Sequence, residues 1–368
     1  MKTRLANLRV WLAGLVFFLL AGCDRVSADA DNSATDTITV MTRNMYVGAD
    51  LDNVLAAPSP EEIPGLVAEA WATLQQTNYP ERAWAMATEI AQAQPHLVGL
   101  QEVSIIRTQF PGDAVLGGTT PAEDVVFDFL STLLEELEAL GHDYRVVAEI
   151  QNTDIELPRL NPDFTFTDVR LTDFDAILAR NDVEVSNGAA QNFEASFTIF
   201  GVEVKRGWVA VDATVAGQGY RFVNTHLEPA GTANGHFQHL QATELIEALA
   251  AETRPVILVG DLNTEAPGGA TYDEFLAAGY SDTWTYDPKP SDVGFTCCHA
   301  KDLSNETPAL EKRIDLVFVR NAESLLPPSS QEPVQARLVG AEPKDRTPSG
   351  LWPSDHAGVV IQLAFRRD

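Results

Sequence analysis

The chain has 368 residues, 45% of them hydrophobic, which is enough apolar material for one large core or two modest ones. It carries 53 acidic and 25 basic residues, giving a formal net charge of −28 at pH 7. A DNA-binding surface normally presents a basic stripe that neutralises phosphates, and this sequence contains no such run. The composition therefore argues against a general nuclease.

The first 22 residues have the pattern of an export signal. Three basic residues precede an apolar run at 10–20, which is shorter than the roughly 20 residues that a bilayer span requires. The run leads into Leu20-Ala21-Gly22-Cys23, which resembles the lipobox of bacterial lipoproteins. This resemblance implies a signal peptide over 1–22, lipidation of Cys23, and a chain anchored to a bacterial membrane, facing the periplasm or the exterior. An ordinary signal peptide with an incidental cysteine is the alternative, and the sequence does not choose between inner and outer membrane.

The next segment, 23–37, is polar and without periodicity, which predicts a flexible tether before a single folded domain at 38–368. Alternation over 38–42 predicts a first strand, directly followed by Asn44. An amphipathic helix is expected to open at Pro80, and a short buried strand over 97–100 then delivers Glu102.

The middle of the chain predicts one long helix followed by several strands. The helix covers 122–140 and ends at Gly141, since glycine commonly terminates helices. Strands are expected at 144–150 and 174–179, with 151–173 between them as a loop or hairpin over the cleft. Further strands separated by glycine turns are predicted at 193–199, 202–205, 207–213 and 220–224.

The C-terminal part alternates less regularly between helices and strands. Helices are predicted at 236–251 and 271–278, and strands at 255–259, 314–319 and 357–363. Because regular βαβ alternation is missing, the pattern favours an α/β (α+β) fold over a doubly wound sheet. The predicted architecture is a four-layer α/β/β/α sandwich of two packed mixed β-sheets flanked by helices, and we expect a monomer.

Four short motifs each place a carboxylate, amide or imidazole just beyond an apolar run. They are Leu100-Gln101-Glu102, Asn224-Thr225-His226-Leu227, Gly260-Asp261-Leu262-Asn263 and Ser354-Asp355-His356. Side chains at strand ends can converge on one cleft. Carboxylates suit a hard divalent cation, and histidines suit phosphate contact and proton transfer. The ordered set predicts metal-assisted phosphoester hydrolysis.

These motifs, with Thr42-Arg43-Asn44 and Arg313-Ile314-Asp315, resemble the endonuclease/exonuclease/phosphatase superfamily over about residues 38–363. The resemblance implies that Glu102 coordinates a metal directly, that Asn44 supports this metal or its water, and that Asp355 lies close to it. The implied cofactor is Mg²⁺, which uses few protein carboxylates, with Mn²⁺ or Ca²⁺ as alternatives. A second metal stays open.

The resemblance also implies the catalytic roles. His226 donates to the scissile phosphate, and Asn263 binds a phosphate oxygen. Asp261 positions or activates the attacking water, and His356, oriented by Asp315, works as acid or base. The sequence does not decide whether Asp261 or His356 takes the proton of the water.

Several further residues are candidates with open alternatives. Arg206 precedes Gly207-Trp208 and is either a phosphate contact or surface charge. The adjacent Cys297 and Cys298 form either a vicinal disulfide or two free thiols. His236, His239 and His299 match no motif and are expected to be surface or supporting residues.

Three functions remain in competition. The first is a metal-dependent phosphodiesterase or phosphatase, lipid-anchored outside the cytoplasm, acting on lipid head groups or small organic phosphates. The second is an exported endonuclease that scavenges nucleic acid, which the acidic charge disfavours without excluding. The third is a non-catalytic binding lipoprotein on the same fold, which the intact set of motif residues disfavours.

Overall fold

The computed structural model describes residues 35–199, 201–229, 235–287, 293–323 and 334–366. The predicted signal peptide, Cys23 and the tether up to residue 34 lie outside these residues, so these stay predictions. The fifteen strands, numbered in chain order, are β1 Thr35–Asn44, β2 Leu97–Gln109, β3 Asp124–Asp128, β4 Tyr144–Leu160, β5 Phe166–Arg180, β6 Glu184–Asn192, β7 Phe197–Ile199, β8 Val202–Val204, β9 Gly207–Val215, β10 Gln218–His226, β11 Val256–Asp261, β12 Ser281–Asp282, β13 Asp315–Arg320, β14 Gln335–Val339 and β15 Gly358–Arg366.

Within the described residues, six α-helices connect and cover these strands. They are α1 Asp52–Leu55, α2 Ile63–Gln76, α3 Tyr79–Ala93, α4 Phe129–Ala139, α5 Gly235–Leu249 and α6 Ala270–Ala277. The helix predicted at Pro80 is confirmed as α3, which carries its proline in the first turn. Among the residues that the structure describes, no helix is both long enough and apolar enough to cross a bilayer.

Two large mixed sheets form the centre of the molecule. The first has the order β14-β15-β1-β2-β5-β4, with β3 added on β2. The second has the order β12-β13-β11-β10-β9-β6. Each sheet contains one parallel pair, β1 with β2 and β10 with β11, and its other pairs are antiparallel. The prediction of two mixed sheets is confirmed.

Three apolar cores define four layers. The core between the two sheets includes Val40, Val211 and Ile257. Outside the first sheet, side chains of α3 and α4 pack on its outer face, and outside the second sheet α5 and α6 do the same. Burial on both faces explains why the central strands are nearly continuous apolar runs. The four-layer sandwich predicted from the sequence is confirmed.

The strand register brings the motif residues to one edge of the sandwich. Asn44 at the end of β1 pairs with Gln101 of the parallel strand β2. In the second sheet His226 is opposite Asp261, and Asp261 is opposite Asp315 on the next strand. Three neighbouring strands thus present their chemical groups side by side.

Asn224 connects the two sheets directly beneath this edge. Its Nδ2 donates to the carbonyls of Leu100 at 2.9 Å and Ala176 at 3.0 Å, both in the first sheet, and its Oδ1 accepts from Gln101 Nε2 at 2.6 Å. A side chain at Gly99 would collide with Asn224, so glycine permits this close approach. These hydrogen bonds fix the position of one sheet relative to the other.

The single helix predicted over 122–140 is wrong in its first part. Residues Asp124–Asp128 form strand β3, and the helix begins only at Phe129. Val125, Val126 and Phe127 favour a strand, and here they lie on a strand paired with β2. Asp128 then caps the helix by accepting from the backbone N–H of Ser131 at 3.0 Å.

Other element bounds differ in length. Residues predicted as loop or hairpin at 151–173 form the long arms of the β4–β5 hairpin. β2 extends nine residues beyond its predicted end at Leu100, and β1 begins at Thr35 rather than at residue 38. Strands β6 and β14 were not predicted, because β6 is too polar to alternate clearly and β14 alternates over only five residues.

Candidate active site

Glu102 reaches the site through an irregularity in its strand. The pairing of β2 with β5 shifts register between Leu100 and Val103, and Glu102 has φ +56°. A bulge of this kind turns a side chain out of the ladder, and such bulges are common beside active sites. The carboxylate is then held by the backbone N–H of Val47, which donates to Oε2 at 2.8 Å.

Asn44 bridges two carboxylates from different sheets. Its Nδ2 donates to Glu102 Oε1 and to Asp261 Oδ2, both at 3.0 Å. Its Oδ1 accepts from the backbone N–H of Tyr46 at 2.8 Å, which fixes the orientation of the amide. The arrangement favours a role for Asn44 in positioning the two acids, and its predicted role as a metal ligand stays a prediction.

Asp261 lies between the two motif histidines. Its Oδ2 is 3.5 Å from His226 Nε2 and 3.8 Å from His356 Nδ1, and its Oδ1 accepts from the backbone N–H of Asn263 at 3.0 Å. Burial, with a smaller contribution from the charge of Asp315, raises the pKa of Asp261 to about 7. A carboxylate in this state can exchange a proton near neutral pH.

His226 is held neutral. Its Nδ1 is 2.9 Å from the Arg206 guanidinium, and since arginine only donates, the proton of the ring must lie on Nε2. Burial, together with Arg206 and His356, lowers the pKa of His226 well below its usual range. Asn263 Nδ2 lies 3.1 Å from that Nε2. Asn263 Nδ2 donates one hydrogen to the Leu227 carbonyl at 2.9 Å, and its second hydrogen and the Nε2–H of His226 suit an anionic oxygen as their shared acceptor.

His356 is held in the opposite charge state. Its Nδ1 lies 2.8 Å from Asp315 Oδ2, and it also faces Asp355 and Asp261. Although burial alone would lower it, these three carboxylates raise the pKa of His356 well above its usual range. The backbone of this loop is fixed by Ser354, whose hydroxyl donates to the Asn44 carbonyl at 2.9 Å and accepts from the His356 N–H at 3.1 Å.

These groups border one cleft of about 420 Å³. Its lining includes Glu102, Arg206, His226, Asp261, Asn263, Asp355 and His356, while Asn44 and Asp315 stand directly behind it through the hydrogen bonds above. The structure therefore brings all nine candidate catalytic, metal and substrate residues together.

The donor set fits a hard divalent cation. Burial, with Glu102 nearby, raises the pKa of Asp355 to about 6. Asp315 Oδ1 is buried and has no hydrogen-bond partner among the described residues. The carboxylates of Asp261 and Asp315 also lie close together around His356, with atoms of the three side chains within 4.8 Å of one another. Clustered oxygen donors whose negative charge is only partly offset are what Mg²⁺ or a similar ion requires.

Sequence reasoning missed two carboxylates beside Glu102. Asp173 and Asp175 are buried, and both accept from Asn152 Nδ2, at 3.2 and 3.0 Å. Burial raises the pKa of Asp173 to about 7, opposed by Arg206 and reinforced by Glu102. The signal was the alternation Asp173-Phe174-Asp175 before an apolar run, which puts both acids on one face of a strand.

The remaining candidates lie at the rim of the cleft or outside it. Cys297 and Cys298 border the cleft with their sulfurs in contact, and the vicinal disulfide stays a prediction. His299, expected to be a surface or supporting residue, is buried, borders the cleft and stacks on Trp352 at a ring distance of 3.9 Å. His239 is exposed and pairs with Glu274 at 2.7 Å, away from the site.

Solved structures share this fold. An endonuclease/exonuclease/phosphatase family protein from Leptotrichia buccalis C-1013-b superposes with a TM-score of 0.54 at 19% identity, over 89% of this chain and 100% of that one. An endonuclease/exonuclease/phosphatase from Beutenbergia cavernae DSM 12333 gives 0.54 at 19% identity, over 90% and 72%. A D. rerio TDP2 humanized by 14 mutations gives 0.50 at 18% identity, over 89% and 98%.

Among curated proteins no relative matches the sequence. The family model described as the endonuclease/exonuclease/phosphatase family, however, matches residues 74–356, which is most of the chain. That span contains Glu102, His226, Asp261, Asp315 and His356. The chain belongs to the endonuclease/exonuclease/phosphatase family, whose members are typically metal-dependent phosphoester hydrolases, nucleases among them.

Proposed function

We propose that this protein is a divalent-metal-dependent phosphoester hydrolase that acts on lipid head groups or small organic phosphates. The observation that carries the proposal is the convergence of Glu102 and Asp261 on one amide, that of Asn44, with the Asp315–His356 pair beside them. Acids and imidazoles from two sheets meet in one cleft, and their charge states differ in the way that acid–base chemistry requires.

Phosphate binding is assigned to the neutral side of the cleft. His226 Nε2–H and the Asn263 amide converge from 3.1 Å apart and can donate to the same phosphoryl oxygen. Arg206 stands behind His226 and adds a positive charge, while its Nε pairs with Glu228 at 3.1 Å. Donors already aimed at a phosphoryl oxygen stabilise the charge that grows on it in the transition state.

Proton transfer is assigned to the acidic side. Because three carboxylates keep His356 protonated, it is poorly suited to accept a proton from water. Asp261, with a pKa near 7, is the better general base. Protonated His356 is then available to stabilise charge or to donate a proton, with Asp315 fixing its orientation.

Glu102 and Asp355 are the residues that we assign to Mg²⁺, with Mn²⁺ or Ca²⁺ as alternatives. Once bound, such an ion neutralises phosphate charge and polarises the phosphoryl group. The net charge of −28 supports this requirement, since an acidic protein repels a phosphoester unless a cation intervenes.

A location outside the cytoplasm is proposed on the N-terminal sequence alone. The basic start, the short apolar run and Leu20-Ala21-Gly22-Cys23 support export and lipid attachment at Cys23. A lipid anchor would hold the enzyme at a membrane surface without a spanning helix. Labelling of the wild type but not of Cys23→Ser by a fatty-acid analogue tests this; equal labelling would contradict it.

The activity is tested with purified full-length protein, Mg²⁺ and three substrates: bis-p-nitrophenyl phosphate, sphingomyelin and plasmid DNA. We expect hydrolysis of at least one of the first two that stops when the metal is chelated and in Glu102→Gln. Preferred cleavage of plasmid DNA would instead make the protein a nuclease. Metal binding without turnover of any substrate would make it a binding protein.

A further inference from the structure

A second concave region opens beside the catalytic cleft. It has a volume of about 90 Å³ and is lined only by apolar side chains of the described residues. Helices α1 and α2 form one wall, with Val54, Val67 and Ala70, and strands β4 and β5 form the other, with Leu157 and Leu171. We call this region the apolar pocket.

The apolar pocket is continuous with the catalytic cleft. Val47, Ala49, Leu51, Leu55, Ile155 and Leu171 line both. Val47 links the pocket to the catalytic carboxylate. Its backbone N–H donates to Glu102 Oε2 at 2.8 Å, and the same residue lines the pocket. Only Val47 therefore needs to separate a group in the pocket from the Glu102 carboxylate, which is assigned to the metal.

We propose that the apolar pocket is a subsite for the alkyl group of the phosphoester substrate, an inference that rests on the proposed function. A phosphate bound between His226 and Glu102 would extend its ester group along residues 47–51. Asp50 and Asp52 line the cleft outside the pocket. Within the pocket the wall offers no charged partner to a polar group, since every side chain that lines it is apolar. The chemistry selects an apolar ester group over a sugar or a charged head group at this position.

The pocket volume limits the size of that group. A cavity of about 150 Å³ binds benzene, which has six carbons, so a pocket of 90 Å³ accommodates a group of about three carbons. The pocket therefore suits the first carbons of an alkyl ester and is too small to enclose a whole fatty-acyl chain. Each methylene moved out of water should strengthen binding about fourfold, so that three would give about 60-fold.

The test compares the binding of methylphosphonate and butylphosphonate to the Mg²⁺-loaded full-length protein by calorimetry. Both ligands carry phosphoryl oxygens and no ester bond, so turnover does not interfere. We expect butylphosphonate to bind about 60-fold more tightly, with little further gain for hexylphosphonate. Equal affinities for methyl- and butylphosphonate would overturn the proposal.

Matched variants on helix α2 locate the effect. Ala70→Leu fills the pocket and should reduce the butyl-to-methyl ratio to below about tenfold. Ala72→Leu adds the same atoms on the exposed face of the same helix and should leave the ratio unchanged. Equal ratios in the wild type and Ala70→Leu would place the alkyl group elsewhere and refute the assignment.

A third variant works in the opposite direction and covers the case in which Ala70→Leu does not fold. Leu157→Ala enlarges the pocket and should extend the affinity gain from butyl- to hexylphosphonate; an unchanged optimum would count against the subsite. Hydrolysis of methyl p-nitrophenyl phosphate, measured in parallel, separates the two proposals. No hydrolysis with a retained chain-length gain refutes the proposed function alone, and hydrolysis without the gain refutes the subsite alone.

Discussion

The polar end of the cleft, around Glu102, Asp261 and His356, is carried by the ends of buried strands, whereas the apolar pocket is carried by helices α1 and α2 and a β-hairpin. At the polar end hydrogen bonds fix each of these side chains. Asn224 fixes the position of the two sheets relative to each other. The pocket depends on packing alone. Reaction chemistry needs fixed geometry, while substrate preference can be altered by residues that touch no catalytic group.

The largest expected effect is at the polar end. Glu102→Gln keeps the shape of the side chain but removes the charge assigned to the metal, so hydrolysis should fall by about 10³-fold or more. Glu123→Gln, the same change at an exposed position, should have no effect. Steady-state kinetics on bis-p-nitrophenyl phosphate measures the turnover of both variants. Near-normal turnover in Glu102→Gln would show that the polar end does not carry the reaction chemistry assigned to it.

Asp315→Asn should lower turnover by about 10²- to 10⁴-fold, because the imidazole loses the carboxylate that orients it. The same change should lower the pKa of His356, since the charge of Asp315 is the largest cause that raises it. NMR titration of the imidazole in the metal-free protein measures that shift. An unchanged pKa together with lost activity would mean that Asp315 acts through the fold.

Asp173→Asn should stabilise the metal-free protein more at pH 8 than at pH 5. The folded-state pKa is about 7 and the usual value is 3.8, so between pH 3.8 and pH 7 the folded protein binds more protons than the unfolded chain. The stability due to this group therefore falls as pH rises through 7. The asparagine, which cannot ionise, should raise the free energy of unfolding at pH 8 by on the order of 1–3 kcal/mol.

Urea unfolding in EDTA at both pH values measures that difference. Asp124→Asn, which replaces an exposed aspartate of β3, provides the control and should change stability at neither pH. Stabilisation of Asp173→Asn by the same amount at pH 5 and pH 8 would show that ionisation is not its cause.

The smallest expected effect is behind the apolar pocket. Arg159 stacks on the ring of Trp71, which lines the pocket, at 4.3 Å from the ring centre. Arg159→Gln removes this contact and should lower the free energy of unfolding by about 0.5–1 kcal/mol, with unchanged hydrolysis of methyl p-nitrophenyl phosphate. A large loss of activity would show that a change behind the apolar pocket alters the geometry of the catalytic residues at the polar end.

The polar end could be predicted from sequence because its residues follow buried strands. An apolar run of the type that precedes Asp261 is recognisable locally, and the end of such a strand is a place where side chains can meet. The first part of the helix predicted over 122–140 was wrong because residues Asp124–Asp128 pair with β2, a partner outside the predicted helix. Local periodicity contains no information about that partner.

The rest of the cleft depends on contacts between distant segments. Asp173 ends a polar stretch that resembles a loop and Asp175 lies near the start of the predicted strand at 174–179, so the burial of both acids was not evident from the sequence. The apolar pocket arises where α2 and the β4–β5 hairpin leave space between them. The pattern of either element alone predicts an apolar face and not a gap in its packing.

The central claim is that the polar end binds a divalent cation through Glu102 and Asp355, within reach of Asp261 and His356. An anomalous-difference map from crystals soaked in Mn²⁺ tests it most directly. We expect a peak at roughly 2.0–2.2 Å from carboxylate oxygens of Glu102 and Asp355 that disappears in Glu102→Gln. A fully soaked crystal with no peak in the cleft, or with the same peak in Glu102→Gln, would contradict the account.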